Sequence, residues 1–129
     1  MKKHVLLVED SFMMSRFLAH HLELNYQVST VAAPLDALLW LKTNAAPDAI
    51  LLDYDLPEMT GLDMLHHLKK KQEWSDIPVI MVSGVKSAEK RIECLEAGAS
   101  DFIAKPFHPK ELSLRLRRYI SSEVELLAT

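Results

Sequence analysis

The apolar run "AILL" at 49–52 stops at Asp53, and a second carboxylate, Asp55, follows two positions later. Three other apolar runs end in a similar way. "HVLLV" at 4–8 leads to Glu9 and Asp10, "PVIMV" at 78–82 to Ser83 and Gly84, and "DFIA" at 101–104 to Lys105 and Pro106. Any one polar residue after a strand is ordinary, because loops are polar and exposed. Together, these ends supply the carboxylates of Glu9, Asp10 and Asp53, a hydroxyl and an ammonium. Clustered carboxylates repel one another and call for a hard cation, most simply Mg2+, which keeps several waters and takes few protein oxygens. A cation held there neutralises an incoming phosphate and lets one carboxylate attack it, giving an acyl phosphate. Charge develops on the equatorial oxygens of the transferred group, and Lys105 and Ser83 are the donors suited to it.

That chemistry needs the strand ends to meet. The runs at 4–8, 49–52 and 78–82 are unbroken rather than alternating, which suits strands covered on both faces. "YQVSTVA" at 26–32 alternates and belongs nearer an edge. Between the strands lie segments with helical spacing. "SFMMSRFLAHHLEL" places Phe12, Met13, Arg16, Phe17, His20 and Leu24 at steps of three and four behind Ser11 as N-cap. "PLDALLWLKTN" opens with Pro34 in its first turn and turns Ala37, Leu38 and Leu41 inward. "GLDMLHHLKKKQ" puts Leu62, Leu65 and Leu68 on one face, with lysines in the last turn, where cations suit the helix dipole. "SAEKRIECLEAGAS" has Ser87 as cap and Gly98 as its C′ residue, and "HPKELSLRLRRYISSEVELL" supplies a last helix. The order βαβαβαβαβα implies right-handed crossovers and an α/β fold: a doubly wound, five-stranded parallel sheet. In such sheets the reactive crevice lies beyond the carboxyl ends of the strands, where strand order reverses.

Composition narrows the class. The chain has 129 residues, 49% hydrophobic and 26% charged, which suits one soluble domain. A net charge of −3 argues against a direct nucleic-acid partner, and the cluster Arg115, Arg117 and Arg118 reads as a solvated helix face. No window approaches a membrane span, and no secretory signal is visible. Cys94 is the one cysteine, so a reducing cytoplasm is the expected compartment and burial the expected role of its thiol. His20, His21, His66 and His67 sit on helices away from the strand ends, so a phosphohistidine donor must be another protein. Of Met13 and Met14, one is expected in the core and the other at the surface that a donor histidine domain approaches; Trp40 and Trp74 read as packing residues.

The motifs "VLLVED", "LLDYDLPEMTGLD", "PVIMVSG" and "GASDFIAKPF", in this order and spacing, resemble the receiver domain of two-component response regulators over nearly the whole chain. The resemblance implies a (βα)5 flavodoxin-like fold, Asp53 as phosphoacceptor, and Mg2+ held by Glu9, Asp10, Asp53 and the backbone carbonyl of Asp55. It implies Ser83 as the switch hydroxyl, Phe102 as the switch aromatic, Lys105 as the ion-pair partner and a cis Lys105-Pro106 bond. It implies a histidine kinase or histidine phosphotransfer protein as donor, and a downstream protein or output domain that reads a helix 4–strand 5–helix 5 surface. Catalysis would extend only to self-phosphorylation and autodephosphorylation at Asp53.

Some positions depart from the family's common pattern. Phe102 lacks the hydroxyl of the tyrosine found in many receivers, Ser83 lacks the methyl of threonine, and Gly84 leaves its loop freer. Asp55 and Val85 occupy the positions that tune phosphoryl lifetime; the apolar Val85 predicts slow autodephosphorylation. Two rival readings remain. "LLDYDLP" also matches the start of the D-x-D-x-T motif of haloacid-dehalogenase-type phosphatases, although Leu56 stands where Thr is wanted and the motif follows the third strand instead of the first. The other rival is a receiver-like docking domain that is never phosphorylated. The receiver is expected over 1–121, with 122–129 as a tail or the start of a linker helix, because Ile120, Val124 and Leu127 continue the helical spacing. That leaves open a stand-alone regulator, a piece of a longer protein, and a homodimer formed on phosphorylation.

Overall fold

The unbroken aliphatic runs become the middle of the sheet. The computed structural model of the chain describes residues 2–84 and 87–121. Val85, Val124, Leu127 and the 122–129 segment as a whole lie outside the described residues. The elements alternate as β1 (His4–Val8), α1 (Phe12–Leu22), β2 (Gln27–Val31), α2 (Pro34–Thr43), β3 (Ala49–Asp53), α3 (Gly61–Lys70), β4 (Val79–Ser83), α4 (Ala88–Glu96), β5 (Asp101–Ala104) and α5 (Pro109–Leu116). All strand pairs are parallel, in the order β2-β1-β3-β4-β5. Every residue of β3 and β4 is buried, whereas β2, with its alternating sequence, is an edge.

The pleat divides the core in two. Leu6, Val8, Ile50, Leu52, Val79 and Met81 face Ala37, Leu41, Met64, Leu65, Leu68 and Cys94 from α2, α3 and α4. Val5, Leu7, Ala49, Leu51, Ile80 and Ile103 face Leu18 and Leu22 of α1 and Leu112 and Leu116 of α5. Each fully buried aliphatic side chain contributes about 1.5–3 kcal/mol. The two layers therefore supply the force that fixes the strand ends.

Local signals start and stop the helices. Ser11 caps α1 by accepting from the Met14 amide, and Ser87 caps α4 by accepting from the Lys90 amide. Thr60 and Asp63 form a reciprocal capping box at α3. Gly98, at φ +110°, ends α4: its N–H donates to the Leu95 carbonyl and that of Ala99 to the Cys94 carbonyl, the paired bonds of a Schellman turn.

The inner face of α1 is Leu18, Ala19 and Leu22, while Phe12, Met13, Phe17 and Leu24 are exposed. Met14 is the half-buried methionine and packs against the α1/α5 core. The last helix ends at Leu116 with Arg117 as its C-cap, and residues 118–120 continue as turns. Trp74 and Cys94 are buried, as expected.

Candidate functional site

Strand order reverses between β1 and β3, so the crevice opens at their carboxyl ends. Register carries the side chains there. Asp53 is the last residue of β3, paired with Val82, and Ser83 is the last residue of β4, paired with Ala104. Both belong to their strands, one residue further than the apolar runs alone indicate. Glu9 follows β1, and its N–H donates to the Val31 carbonyl at 3.1 Å, which extends the β1–β2 ladder by one bond. Lys105 follows β5; its N–H donates to the Ser83 carbonyl at 2.6 Å, and the Lys105-Pro106 bond is cis.

The Lys105 ammonium spans the crevice, 3.1 Å from Glu9 Oε1 and 3.4 Å from Asp53 Oδ2. The other Asp53 oxygen, Oδ1, accepts from the Asp55 N–H at 3.1 Å. Glu9 Oε2 accepts from the Ser11 N–H at 3.0 Å, in the turn that caps α1. One oxygen from each of Glu9, Asp10 and Asp53 lies within 4.8 Å of the others. Glu9 and Asp53 are buried and Asp10 is exposed, so the cluster has one wall open to solvent. Three carboxylates at this spacing, with a solvent-facing side, fit a hard dication that retains water.

The electrostatics follow from crowding. Burial pushes the Asp53 carboxyl up, to about 7; the Asp55 amide opposes this, and the Glu9 carboxylate adds to it. Burial also pushes Glu9 up, but the Ser11 amide, a hydrogen bond with Asp53 and the Lys105 ammonium outweigh it, and Glu9 is lowered. Burial works against the charge on Lys105, yet its two carboxylate partners win and its pKa is raised. A proton in the pair thus resides on Asp53 while Glu9 stays ionised.

The glycine after the Thr60 cap has a specific reason to be there. A Cβ on Gly61 would collide with the Asp53 carbonyl oxygen and come within 2.8 Å of Tyr54 Cα and 2.9 Å of Met81 Cε. The lack of a side chain lets the start of α3 press against the end of β3, where the Gly61 N–H donates to the Tyr54 carbonyl at 2.8 Å. The sequence marks this position only as a glycine opening a helix, a place where glycine normally costs stability.

Phe102 is buried on β5, paired with Met81, and so lies on the same sheet face as Ser83 and two pairs below it. Beside it a groove of about 420 Å3 runs between α4 and α5, lined by Arg91, Phe102, Ala104, Lys105 and Arg115 among others. Arg115 is tied within the chain, at 2.9 Å from Asp101 and 3.2 Å from Glu111. Asp55 exposes its side chain. Tyr54 makes a contact that the sequence does not announce: the hydroxyl of this buried residue meets the exposed Lys90 ammonium of α4 at 3.2 Å. Lys90 is raised chiefly by that hydrogen bond.

A parallel sheet ordered 2-1-3-4-5, with an acidic trio and a lysine at its carboxyl edge, defines a class, and comparison with known proteins gives the family. Residues 5–117 match the family model of the response regulator receiver domain. The chain belongs to that family. It is 37% identical over 117 residues to the phosphate regulon transcriptional regulatory protein PhoB of Escherichia coli, covering 91% of this chain and 51% of that protein. The chain therefore spans about half the length of the PhoB proteins that it matches. It is also 37% identical over 118 residues to the two-component response regulator ORR3 of rice, covering 91% of this chain and 90% of that one. Among solved structures, the chemotaxis response regulator CheY4 of Vibrio cholerae superposes with a TM-score of 0.86 at 30% identity, covering 93% of this chain and all of that one. The receiver domain of a signal transduction histidine kinase from Syntrophus aciditrophicus gives 0.84 at 33%, covering 92% and 90%. "LLDYDLP" is thus the end of the third strand and the following loop of a receiver, not the opening of a phosphatase motif. Among the described residues, no helix is long and apolar enough to cross a membrane.

Proposed function

We propose that this chain is a phosphorylation switch whose acceptor is Asp53. The observation that carries the reading is the geometry at the end of β3. A buried carboxylate has one oxygen held by the Asp55 amide and the other by Lys105, with Glu9 and Asp10 close by. The donor is a phosphohistidine on a histidine kinase or histidine phosphotransfer protein. An Asp53 oxygen attacks phosphorus, the N–P bond breaks, and the imidazole leaves with the electron pair and takes up a proton. Attack needs the ionised carboxylate, and the fixed Asp55 amide and Lys105 orient it without reorganisation at the moment of transfer. Glu9, Asp10 and Asp53, with the Asp55 carbonyl, would hold Mg2+, which when bound supplies positive charge to the phosphoryl oxygens.

The modified Asp53 adds negative charge at the floor of the crevice. Lys105 pairs with it, and the Ser83 hydroxyl moves toward it. Phe102, on the same face, follows into the space vacated, and the α4–β5–α5 surface repacks to present itself to a partner or output domain. Large apolar residues exposed on α1, Phe12 (77% exposed), Met13 (82%) and Phe17 (54%), support a donor-docking role next to the acceptor, and Phe12 borders the crevice that holds Glu9 and Asp10. The cytoplasm, where such donors work and a buried Cys94 stays reduced, is the compartment that fits. Transfer from an autophosphorylated histidine kinase tests the reading: label should pass to the wild type and not to Asp53→Asn, and equal labelling of both would refute it.

A further inference from the structure

Tyr54 is the residue immediately after the acceptor, and its main chain is fixed on both sides. Its N–H donates to the Val82 carbonyl of β4 at 3.0 Å, and its carbonyl accepts from Gly61 at 2.8 Å. Only the side chain is left to reach outward. The ring is buried, its hydroxyl accepts from the Lys90 ammonium at 3.2 Å, and that ammonium lies 5.3 Å from the ring centroid. A hydrogen bond and a cation–π contact thus act on one pair of side chains. Lys90 stands in the first turn of α4, and its own N–H donates to the capping Ser87 hydroxyl at 3.4 Å. One residue therefore joins the α4 cap to the acceptor strand.

Ser87 follows Ser83 by four residues. In the phosphorylation reading above, the α4 surface moves when Ser83 shifts toward the phosphoryl group. Tyr54, pinned through its backbone, cannot follow. The Lys90–Tyr54 contact must then stretch or break.

We propose that the Tyr54–Lys90 contact is a latch that holds the first turn of α4 to the acceptor strand in the unmodified chain. It sets the threshold at which phosphorylation of Asp53 moves the α4 surface. The inference rests on the phosphorylation reading above and adds a contact between the acceptor strand and α4 that the Ser83 shift must overcome. A contact made in one of two states biases the equilibrium by its differential energy, and its removal favours the other state. Tyr54 and Lys90 act here as positioning residues.

The test is titration of the full chain with beryllofluoride at saturating Mg2+, read by calorimetry. Tyr54→Phe keeps the ring and loses the hydroxyl, while Lys90→Met keeps the stem and loses the charge. Each should bind beryllofluoride about two- to fivefold more tightly than wild type, the change expected from one partly exposed charge-assisted contact. The double variant should bind no more tightly than the better single, because both remove the same contact, and Lys90→Arg should return toward wild type. Unchanged or weaker binding in the two single variants, or additive gains in the double, would overturn the latch. Beryllofluoride binding by wild type with flat variants overturns the latch alone. No binding by wild type overturns the phosphorylation reading as well.

Discussion

As the proposed acceptor, Asp53 faces two opposed demands, since it must be buried enough to be held in place and ionised enough to attack. Burial and Glu9 lift its pKa from 3.8 to about 7, so the native chain keeps a proton there that the unfolded chain releases. The stability linked to that proton is fully present below the ordinary aspartate pKa of 3.8 and is lost as pH rises through about 7. Glu9 acts in the other direction: its lowered pKa gives stability above its ordinary 4.5 that is lost as pH falls. Above neutrality without metal, Asp53 is therefore a destabilising charge. Asp53→Asn should raise stability at pH 8 in chelator by about 1–3 kcal/mol, measured by urea denaturation. Saturating Mg2+ should stabilise wild type and leave the variant unmoved. Protons and Mg2+ also compete for the same carboxylate. Apparent Mg2+ affinity should fall by up to about tenfold for each pH unit below 7, a slope that a calorimetric pH series would reveal.

At the scale of elements, the carboxyl end of β3 depends on what α3 does not carry. Gly61→Ala would drive a methyl into the backbone of Asp53 and Tyr54, and backbone cannot yield as a side chain can. It should cost about 2–4 kcal/mol and lower the rate of Asp53 labelling in the same protein, since the displaced strand end bears the acceptor. Gly98→Ala meets only the flexible Lys69 stem, at 3.2–3.3 Å, but must adopt φ +110°. That should cost about 1–2 kcal/mol in thermal unfolding with labelling intact. Much of this architecture is legible in the sequence. Unbroken aliphatic runs identify β1, β3 and β4, alternation identifies the β2 edge, and the polar residue after each run points to Glu9, Asp10, Asp53, Ser83 and Lys105. The inner face of α1 is not legible, because Phe12, Met13 and Phe17 look like core when they serve the surface. The end of α5 is hidden for a related reason: apolar spacing runs on past Leu116 although the backbone turns. The Tyr54–Lys90 contact joins residues 36 apart in sequence, and no periodicity reports it.

At the scale of the whole molecule, the proposed donor-docking residues adjoin the proposed acceptor crevice but belong to a different element. The crevice is built from strand ends, whereas the exposed aromatic stripe lies on α1, where it contributes nothing to the core. Phe12→Ala with Phe17→Ala should slow transfer from a protein donor about tenfold or more, a typical loss for exposed aromatic anchors. The rate with acetyl phosphate, which needs no docking, should stay within about twofold in the same assay, and an equal loss with both donors would assign the stripe to folding. The proposed output surface includes the α4–α5 groove, which Phe102 and Lys105 help to line. The most direct test is whether Asp53 itself takes up phosphate. Incubation with acetyl phosphate and Mg2+, reduction of the acyl phosphate with borohydride, and peptide mass mapping would locate the group. The predicted result is modification at Asp53 that requires Mg2+ and is absent in Asp53→Asn; modification elsewhere, or none at Asp53 with Mg2+ present, would contradict it.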